Sequence, residues 1–135
     1  MANEDIDAIN KMREDTVTAL STNDVESWLS AWTEDAVIMP PNEMPIAGHD
    51  AIGKWGRAFF DQMRIIEFWR IPKEITVADD WAYAWGHFEG KVVARTGGEP
   101  LPMNIKYLEI LRKQSDQSWK IWRHMFSDNV PSGGT

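Results

Sequence analysis

The 135-residue sequence contains no cysteine, which excludes disulfides, thiolate metal ligands and cysteine nucleophiles. It also contains no apolar run near the ~20 residues that a membrane-spanning helix needs. Its first residues are acidic and differ from the basic and apolar regions of a signal peptide. These absences favour a cytoplasmic protein with no membrane segment.

Positive charge is scarce in this chain. Lys and Arg together number 14, against 21 Asp and Glu, and the formal net charge is −7. An acidic surface is repelled by the phosphates of nucleic acids and by anionic lipids. We therefore expect neither nucleic acid nor a membrane as a partner.

Motifs that would identify a reaction are missing as well. The sequence has no Gly-x-Ser-x-Gly nucleophile motif and no glycine-rich loop of the kind that holds phosphate. Its three histidines, His49, His87 and His124, fall on different predicted elements without the close spacing of metal ligands. No metal and no cofactor is predicted.

Apolar and aromatic side chains are plentiful, by contrast. Hydrophobic residues make up 43% of the chain and eight residues are tryptophan, enough to build a core. The length suits one domain, and no repeat or linker interrupts it. We predict a single domain over residues 1–128 and a flexible tail over residues 129–135, which end in a Pro-Ser-Gly-Gly-Thr run.

The first half of the sequence predicts three helices and one short strand. Apolar residues at helical spacing indicate a first helix through Leu20, a second from an Asn23 cap to Trp32, and a third that opens at Gly48. Residues 37–39 predict a strand that ends at two prolines, which lack the amide hydrogen of a strand ladder.

The second half predicts four strands. Their β-rich segments are residues 65–78, 81–94, 103–113 and 119–127. Pro72 in the first of them indicates an edge position or a bulge. Helices followed by a meander of strands predict an α+β fold, in which three N-terminal helices pack on a strongly curved antiparallel sheet.

Three local patterns occur in a characteristic order. They are Asn23-Asp24-Val25-Glu26 leading to Glu34-Asp35-Ala36-Val37, then Pro41 to Gly48-His49-Asp50-Ala51-Ile52, and finally Trp119 to Ser127. Together with the element order they resemble the NTF2-like superfamily, in particular its SnoaL-like and DUF4440-like branch, which is related to ketosteroid isomerase. The resemblance implies a cystatin-like cone with a pocket at its wide end. It also implies a homodimer formed through the outer face of the sheet.

The polar groups of the ketosteroid isomerases are only partly retained. By resemblance, the catalytic aspartate of those enzymes corresponds to Pro40, which cannot take up a proton. Their oxyanion-hole tyrosine falls near Thr16, and their second acid corresponds to Glu109. Steroid isomerase activity is therefore not expected, although one acidic group remains.

Strand alternation groups the remaining candidates. Glu109 shares a face with Ile105, Tyr107 and Leu111, and His124 shares one with Trp122 and Phe126. By resemblance these faces look into the pocket, which would make Glu109 and His124 a catalytic acid–base pair. The alternatives are a Glu109 paired with a basic residue across strands and a hydrogen-bonded structural His124.

The predicted pocket is apolar and aromatic. Its expected ligand-binding residues are Trp32, Trp55, Phe59, Tyr107, Trp122 and Phe126. Two functions follow: a cofactor-independent isomerase, hydratase or cyclase acting on a small apolar molecule, or a non-catalytic domain for ligand binding or dimerisation.

The strand that begins at Trp81 has one face of small and one of large side chains. Ala82, Ala84 and Gly86 alternate with Tyr83, Trp85 and His87. The large face predicts a subunit interface, because aromatic residues are enriched at interfaces. A bulge at Gly86 would exchange the two faces beyond it.

Overall fold

The computed structural model describes residues 2–129. Its elements are, in chain order, α1 (Ala2–Ser21), α2 (Val25–Leu29), β1 (Trp32–Met39), β2 (Ile46–Ala47), α3 (His49–Gln62), β3 (Met63–Ala78), β4 (Trp81–Ala94), β5 (Leu101–Lys113) and β6 (Trp119–Asp128). No helix within this range is both long enough and apolar enough to cross a bilayer. Apart from Asn129, the predicted tail lies outside the described residues.

The six strands form one curled sheet in the order β2-β1-β6-β5-β4-β3. Neighbouring strands are antiparallel, except that β1 runs parallel to β6. The helices pack against one face, and the buried side chains of β4 and β5 alternate with exposed ones. The predicted α+β architecture is confirmed.

The connection between α1 and β1 differs from the prediction. Asp24, not Asn23, caps α2, and its carboxylate accepts a hydrogen bond from the Ser27 amide at 3.2 Å. Asn23 has a left-handed φ of 58° and uses its side chain to bond both backbone groups of Ile65. Helix α2 then ends at Leu29, and Trp32 begins β1 because the chain there pairs with β6.

The pairing of β3 with β4 is irregular at two places. Strand β3 is one of the two edge strands and contains two bulges, one between Ile65 and Glu67 and one between Pro72 and Glu74. The prediction for Pro72 is therefore confirmed. Strand β4 keeps its alternation through Gly86, so no bulge exchanges its faces.

Two glycines of β4 allow the backbone of the bulged strand β3 to approach closely. A Cβ added at Gly90 would lie 2.1 Å from the Glu67 carbonyl oxygen, and one at Gly86 would lie 2.5 Å from that of Ile71. Both contacts are with backbone atoms, which move only if the sheet itself moves. Glycine is required here by the bulged partner strand and not by a positive φ.

We expect Gly90→Ala to lower the free energy of unfolding by about 1–3 kcal/mol, because an overpacked site must distort its surroundings. Gly53→Ala is the matched control, since its new Cβ would meet the movable ends of Leu29 and Arg57 side chains within a helix. Urea unfolding measures both. Equal losses in the two variants would contradict the proposed backbone clash.

Candidate functional site

A cavity of about 300 Å³ lies between the helices and the sheet. Most of its walls are apolar or aromatic, and its lining residues are Leu20, Trp28, Pro40, Pro41, Glu43, Trp55, Gly56, Phe59, Phe60, Ile65, Phe68, Phe88, Met103, Ile105, His124, Phe126 and Asp128. Four residues predicted from the sequence are among them: Trp55, Phe59, His124 and Phe126. The aromatic surface suits a small, largely apolar ligand.

Trp32 and Tyr107 lie behind the wall and do not line the cavity. The Trp32 ring contacts the imidazole of His124 edge-on at 5.6 Å between centroids, and the Tyr107 ring stacks on it at 5.9 Å. Both side chains are buried. They therefore hold the imidazole in place from two sides.

Trp122, which the sequence predicts in the pocket, does not line this cavity. Ile110 pairs with Arg123 and Leu111 pairs with Ile121, so Trp122 is the extra residue of a β-bulge. The bulge turns its ring away from the cavity to contact Trp81 at 4.9 Å and Arg123 at 3.5 Å. Beyond the bulge, His124 and Phe126 face the cavity, as alternation from Phe126 implies.

Sequence reasoning missed Phe88, which lies at the centre of the aromatic wall. Its ring stacks on Phe68 at 5.0 Å and on Tyr107 at 4.6 Å. The alternation of β4 could have identified it, because Ala84, Gly86 and Phe88 follow one another on the same buried face. An expected bulge at Gly86 obscured it.

Glu109 and His124 are direct partners across β5 and β6. His124 Nδ1 lies 2.9 Å from Glu109 Oε2, a distance at which the ring N–H donates to the carboxylate. The exposed fraction is 1% for Glu109 and 6% for His124. Of the two, only His124 lines the cavity. Glu109 contacts the imidazole from behind and does not line the cavity.

A second partner of Glu109 comes from α1. Arg13 Nε lies 3.1 Å from Glu109 Oε1, off the line of an ideal hydrogen bond, and both side chains are almost fully buried. The guanidinium also lies over the rings of Phe88 and Tyr107, at 5.5 and 5.6 Å from their centroids. One alternative from the sequence was that Glu109 pairs with a basic residue across strands. The structure has such a basic partner, Arg13, but it lies on helix α1 and not on a strand.

Sequence reasoning did not select Arg13, although a signal existed. Arg13 follows Ile9 by four residues and precedes Leu20 by seven, which places it on the apolar stripe of α1. A charged residue on such a stripe is buried only when it is paired. Its partner, Glu109, lies far along the chain and could not be identified from spacing.

The electrostatics of the cluster keep Glu109 ionised. Burial alone would raise the pKa of the Glu109 carboxyl, but the Arg13 guanidinium, the hydrogen bond from His124 and the charges of His124 and Arg70 outweigh it. The net pKa is below its ordinary value. A carboxylate can only accept hydrogen bonds, which determines the direction of its contact with His124.

The two other positions compared with ketosteroid isomerase offer no proton chemistry. Pro40 lies in the cavity wall. The Thr16 hydroxyl donates to the Arg13 carbonyl oxygen within α1 at 2.7 Å and does not line the cavity. His124, Glu43 and Asp128 are therefore the ionisable residues that line this cavity. Among residues 2–129, no group of three or more His, Asp or Glu side chains is arranged to hold a metal ion.

Glu109→Gln is expected to reduce the stability of the protein at neutral pH by about 3–5 kcal/mol, because Arg13 then becomes an uncompensated buried charge. The folded-state pKa of Glu109 is lowered, so its carboxylate stabilises the fold above the ordinary value of 4.5. That contribution is lost as the pH falls through the folded-state pKa. The stability difference between wild type and variant should accordingly shrink in acid.

Urea unfolding between neutral pH and pH ~3 measures this difference. Glu34→Gln is the control, since Glu34 is exposed and makes no ion pair with any residue from 2 to 129. A gap between wild type and Glu109→Gln that stays constant down to the lowest pH would contradict an ionised Glu109.

Three solved structures illustrate what this fold is similar to. A ketosteroid isomerase-like protein from Erwinia carotovora atroseptica has 25% identity and a TM-score of 0.87, over 96% of this chain and 99% of that one. An NTF2-like protein with a cystatin-like fold from Novosphingobium aromaticivorans has 19% identity and a TM-score of 0.75, over 98% and 86%. A proposed dehydratase of the NTF2-like family from Streptomyces avermitilis has 14% identity and a TM-score of 0.77, over 97% and 100%.

Sequence comparison agrees with the structural likeness. No protein of curated function matches the sequence significantly. The family model of the SnoaL-like domain, however, matches residues 14–129, which is most of the chain. The predicted resemblance is confirmed: the protein belongs to the SnoaL-like domain family of the NTF2-like superfamily.

Proposed function

We propose that the protein is a cofactor-independent enzyme that transfers a proton on a small apolar molecule, as an isomerase, hydratase or cyclase does. One observation carries this proposal: a buried carboxylate bonds His124 Nδ1 while the same imidazole lines an apolar cavity. Within residues 2–129 no side chain bonds His124 Nε2, so that nitrogen is available to a ligand. A histidine held in this way is a competent general base.

The residues take different roles in this proposal. His124 exchanges the proton with the ligand, and Glu109 acts through His124, orienting the ring and stabilising its charged form. Trp55, Phe59 and Phe126 contact the apolar body of the ligand. Trp32 and Tyr107 hold the imidazole from behind.

The charges at the cavity favour a neutral ligand. Glu43 and Asp128 are among its lining residues, whereas no Lys or Arg is. The buried Arg13 guanidinium, behind His124, is already paired with Glu109. An anionic ligand would meet repulsion without a compensating cation, so neutral ketones are the appropriate first probes.

A non-catalytic ligand-binding domain is the second candidate. The positions that correspond to two polar groups of ketosteroid isomerase are Pro40 and Thr16, and neither offers a proton to the cavity. The similarity to a proposed dehydratase from Streptomyces avermitilis supports the enzyme instead, but only at the level of fold. Turnover decides between the two.

Hydrogen exchange tests for turnover without knowledge of the product. We expect the protein to accelerate exchange of the hydrogen next to the carbonyl of a bound cyclic ketone in D2O, followed by NMR. His124→Gln should slow this exchange by about 10²-fold or more, the usual contribution of a general base. Glu109→Gln should lower the rate with little change in ketone binding.

His87→Gln is the matched control for the exchange experiment, because His87 does not line the cavity. Ketone binding is followed separately by tryptophan fluorescence, since Trp28 and Trp55 line the cavity. Ketones that bind but show no exchange above buffer across the panel would support the non-catalytic domain and contradict the enzyme.

We also propose that two copies associate through the outer face of the sheet. Tyr83, Trp85, Leu108, Ile110 and Met125 form an outer-face patch, in which Trp85 pairs with Leu108 and Leu108 with Met125 across three strands. All five are exposed in the single chain. A two-fold interface brings the same patch of both copies together, so apolar surface would cover apolar surface.

The homodimer is tested by sedimentation at micromolar concentration. Leu108→Lys should raise the dimer dissociation constant by about 10-fold or more, because an unpaired ammonium would be buried at the interface. Met44→Lys is the control, as Met44 is exposed and lies outside the outer-face patch. A wild-type protein that sediments as a monomer would overturn the proposal.

A further inference from the structure

Helix α1 places one permanent charge inside the domain. The Arg13 side chain is 3% exposed and lies between the rings of Phe88 and Tyr107 and the carboxylate of Glu109. Removing a guanidinium from water is costly, and a buried ion pair often contributes no more stability than apolar residues of similar volume. Stability alone is therefore a weak reason for an arginine at this position.

The two oxygens of Glu109 are divided between two partners. Oε1 lies 3.1 Å from Arg13 Nε, and Oε2 lies 2.9 Å from His124 Nδ1. While the carboxylate is ionised, Oε2 can only accept, so Nδ1 must carry a hydrogen whatever the charge of the ring. The ring proton that comes and goes is then the one on Nε2.

A protonated Glu109 would reverse this arrangement. Its hydroxyl would donate to Nδ1, and the neutral imidazole would then carry its hydrogen on Nε2. The nitrogen available to a ligand would become a donor and could no longer remove a proton. The protonation of Glu109 thus decides whether His124 presents a base or an acid to the cavity.

We propose that Arg13 is a positioning residue that holds Glu109 as a carboxylate and thereby fixes His124 in the tautomer with its hydrogen on Nδ1. The free lone pair of Nε2 is then available to the cavity, so His124 acts first as a base in the proton transfer. This inference rests on the proposed function for its catalytic consequence, but the tautomer itself is a property of the ligand-free protein.

The other charged groups near the imidazole do not replace Arg13. Arg70, on β3, contacts the Tyr107 hydroxyl at 3.5 Å and adds positive charge near Glu109 from a greater distance. Glu43 and Asp128 line the cavity, but both are acidic and cannot supply a cation. Strand β1 presents the apolar Ile38 beside His124. Arg13 is therefore the cation in direct contact with the carboxylate.

The tautomer is read from the nitrogen NMR shifts of the histidine rings in ¹⁵N-labelled protein, at a pH where His124 is neutral. His124→Gln assigns the signals, since the chain has only three histidines. In the wild type we expect a protonated Nδ1 and an unprotonated Nε2. In Arg13→Met, which keeps most of the side-chain volume without the charge, the two shifts should exchange. Arg13→Lys restores a cation and should retain the wild-type pattern.

Two results would overturn the proposal. The first is a wild-type His124 with its hydrogen on Nε2, which needs no variant and so remains decisive if Arg13→Met fails to fold. The second is a folded Arg13→Met protein with the wild-type tautomer, which would make Arg13 only a structural residue. A merely structural role predicts lower stability in Arg13→Met but no exchange of the nitrogen shifts.

The outcome is separable from that of the ketone experiment. If the wild type has the expected tautomer but exchanges no ketone hydrogen, the enzyme proposal fails and the role of Arg13 in positioning His124 stands. If exchange occurs, Arg13→Met should reduce its rate by about 10-fold or more while ketone binding, followed by fluorescence, is unchanged.

Discussion

The buried ion pair of Arg13 and Glu109 is the interaction on which the rest of the site depends. It joins the first helix to strand β5 inside the sheet, and its carboxylate contacts His124, which lines the cavity. Because neither charge can reach water, each requires the other, and any displacement of α1 from β5 would leave both uncompensated. The same pair supplies the carboxylate that orients His124. The position of the helix and the electrostatics of the site are thus linked through one contact.

Small side chains in β4 make room for this pair. Ala84 is the cross-strand partner of Glu109, and Gly86 is the partner of Tyr107. A larger residue at Ala84 would compete with Glu109 and Arg13 for the same space on the inner face. The bulges of β3 curl the sheet around the helices and leave an apolar cavity beside the polar cluster. The site is therefore a polar cluster behind an aromatic chamber, with His124 as the group shared by both.

Local patterns predicted much of this arrangement. The order of helices and strands follows from hydrophobic periodicity, and side chains that alternate along β5 place Glu109 on the inner face. Alternation also grouped His124 with Phe126, and the family resemblance implied that this face looks into the pocket. The same alternation does not hold for Trp122, because the bulge adds one residue and turns that ring outward. Periodicity is reliable only as long as the strand is regular.

The sequence by itself determined the fold class and the residues that share a face on the regular strands, because each depends on residues near one another in the chain. The candidacy of Glu109 and His124 came from the family resemblance. The tertiary structure decided that Arg13 meets Glu109, that Glu109 lies behind the cavity wall, and that Trp122 lies outside. These features depend on how a helix packs across the sheet and where strand register shifts. Both are set by contacts between residues distant in sequence, which no local pattern encodes.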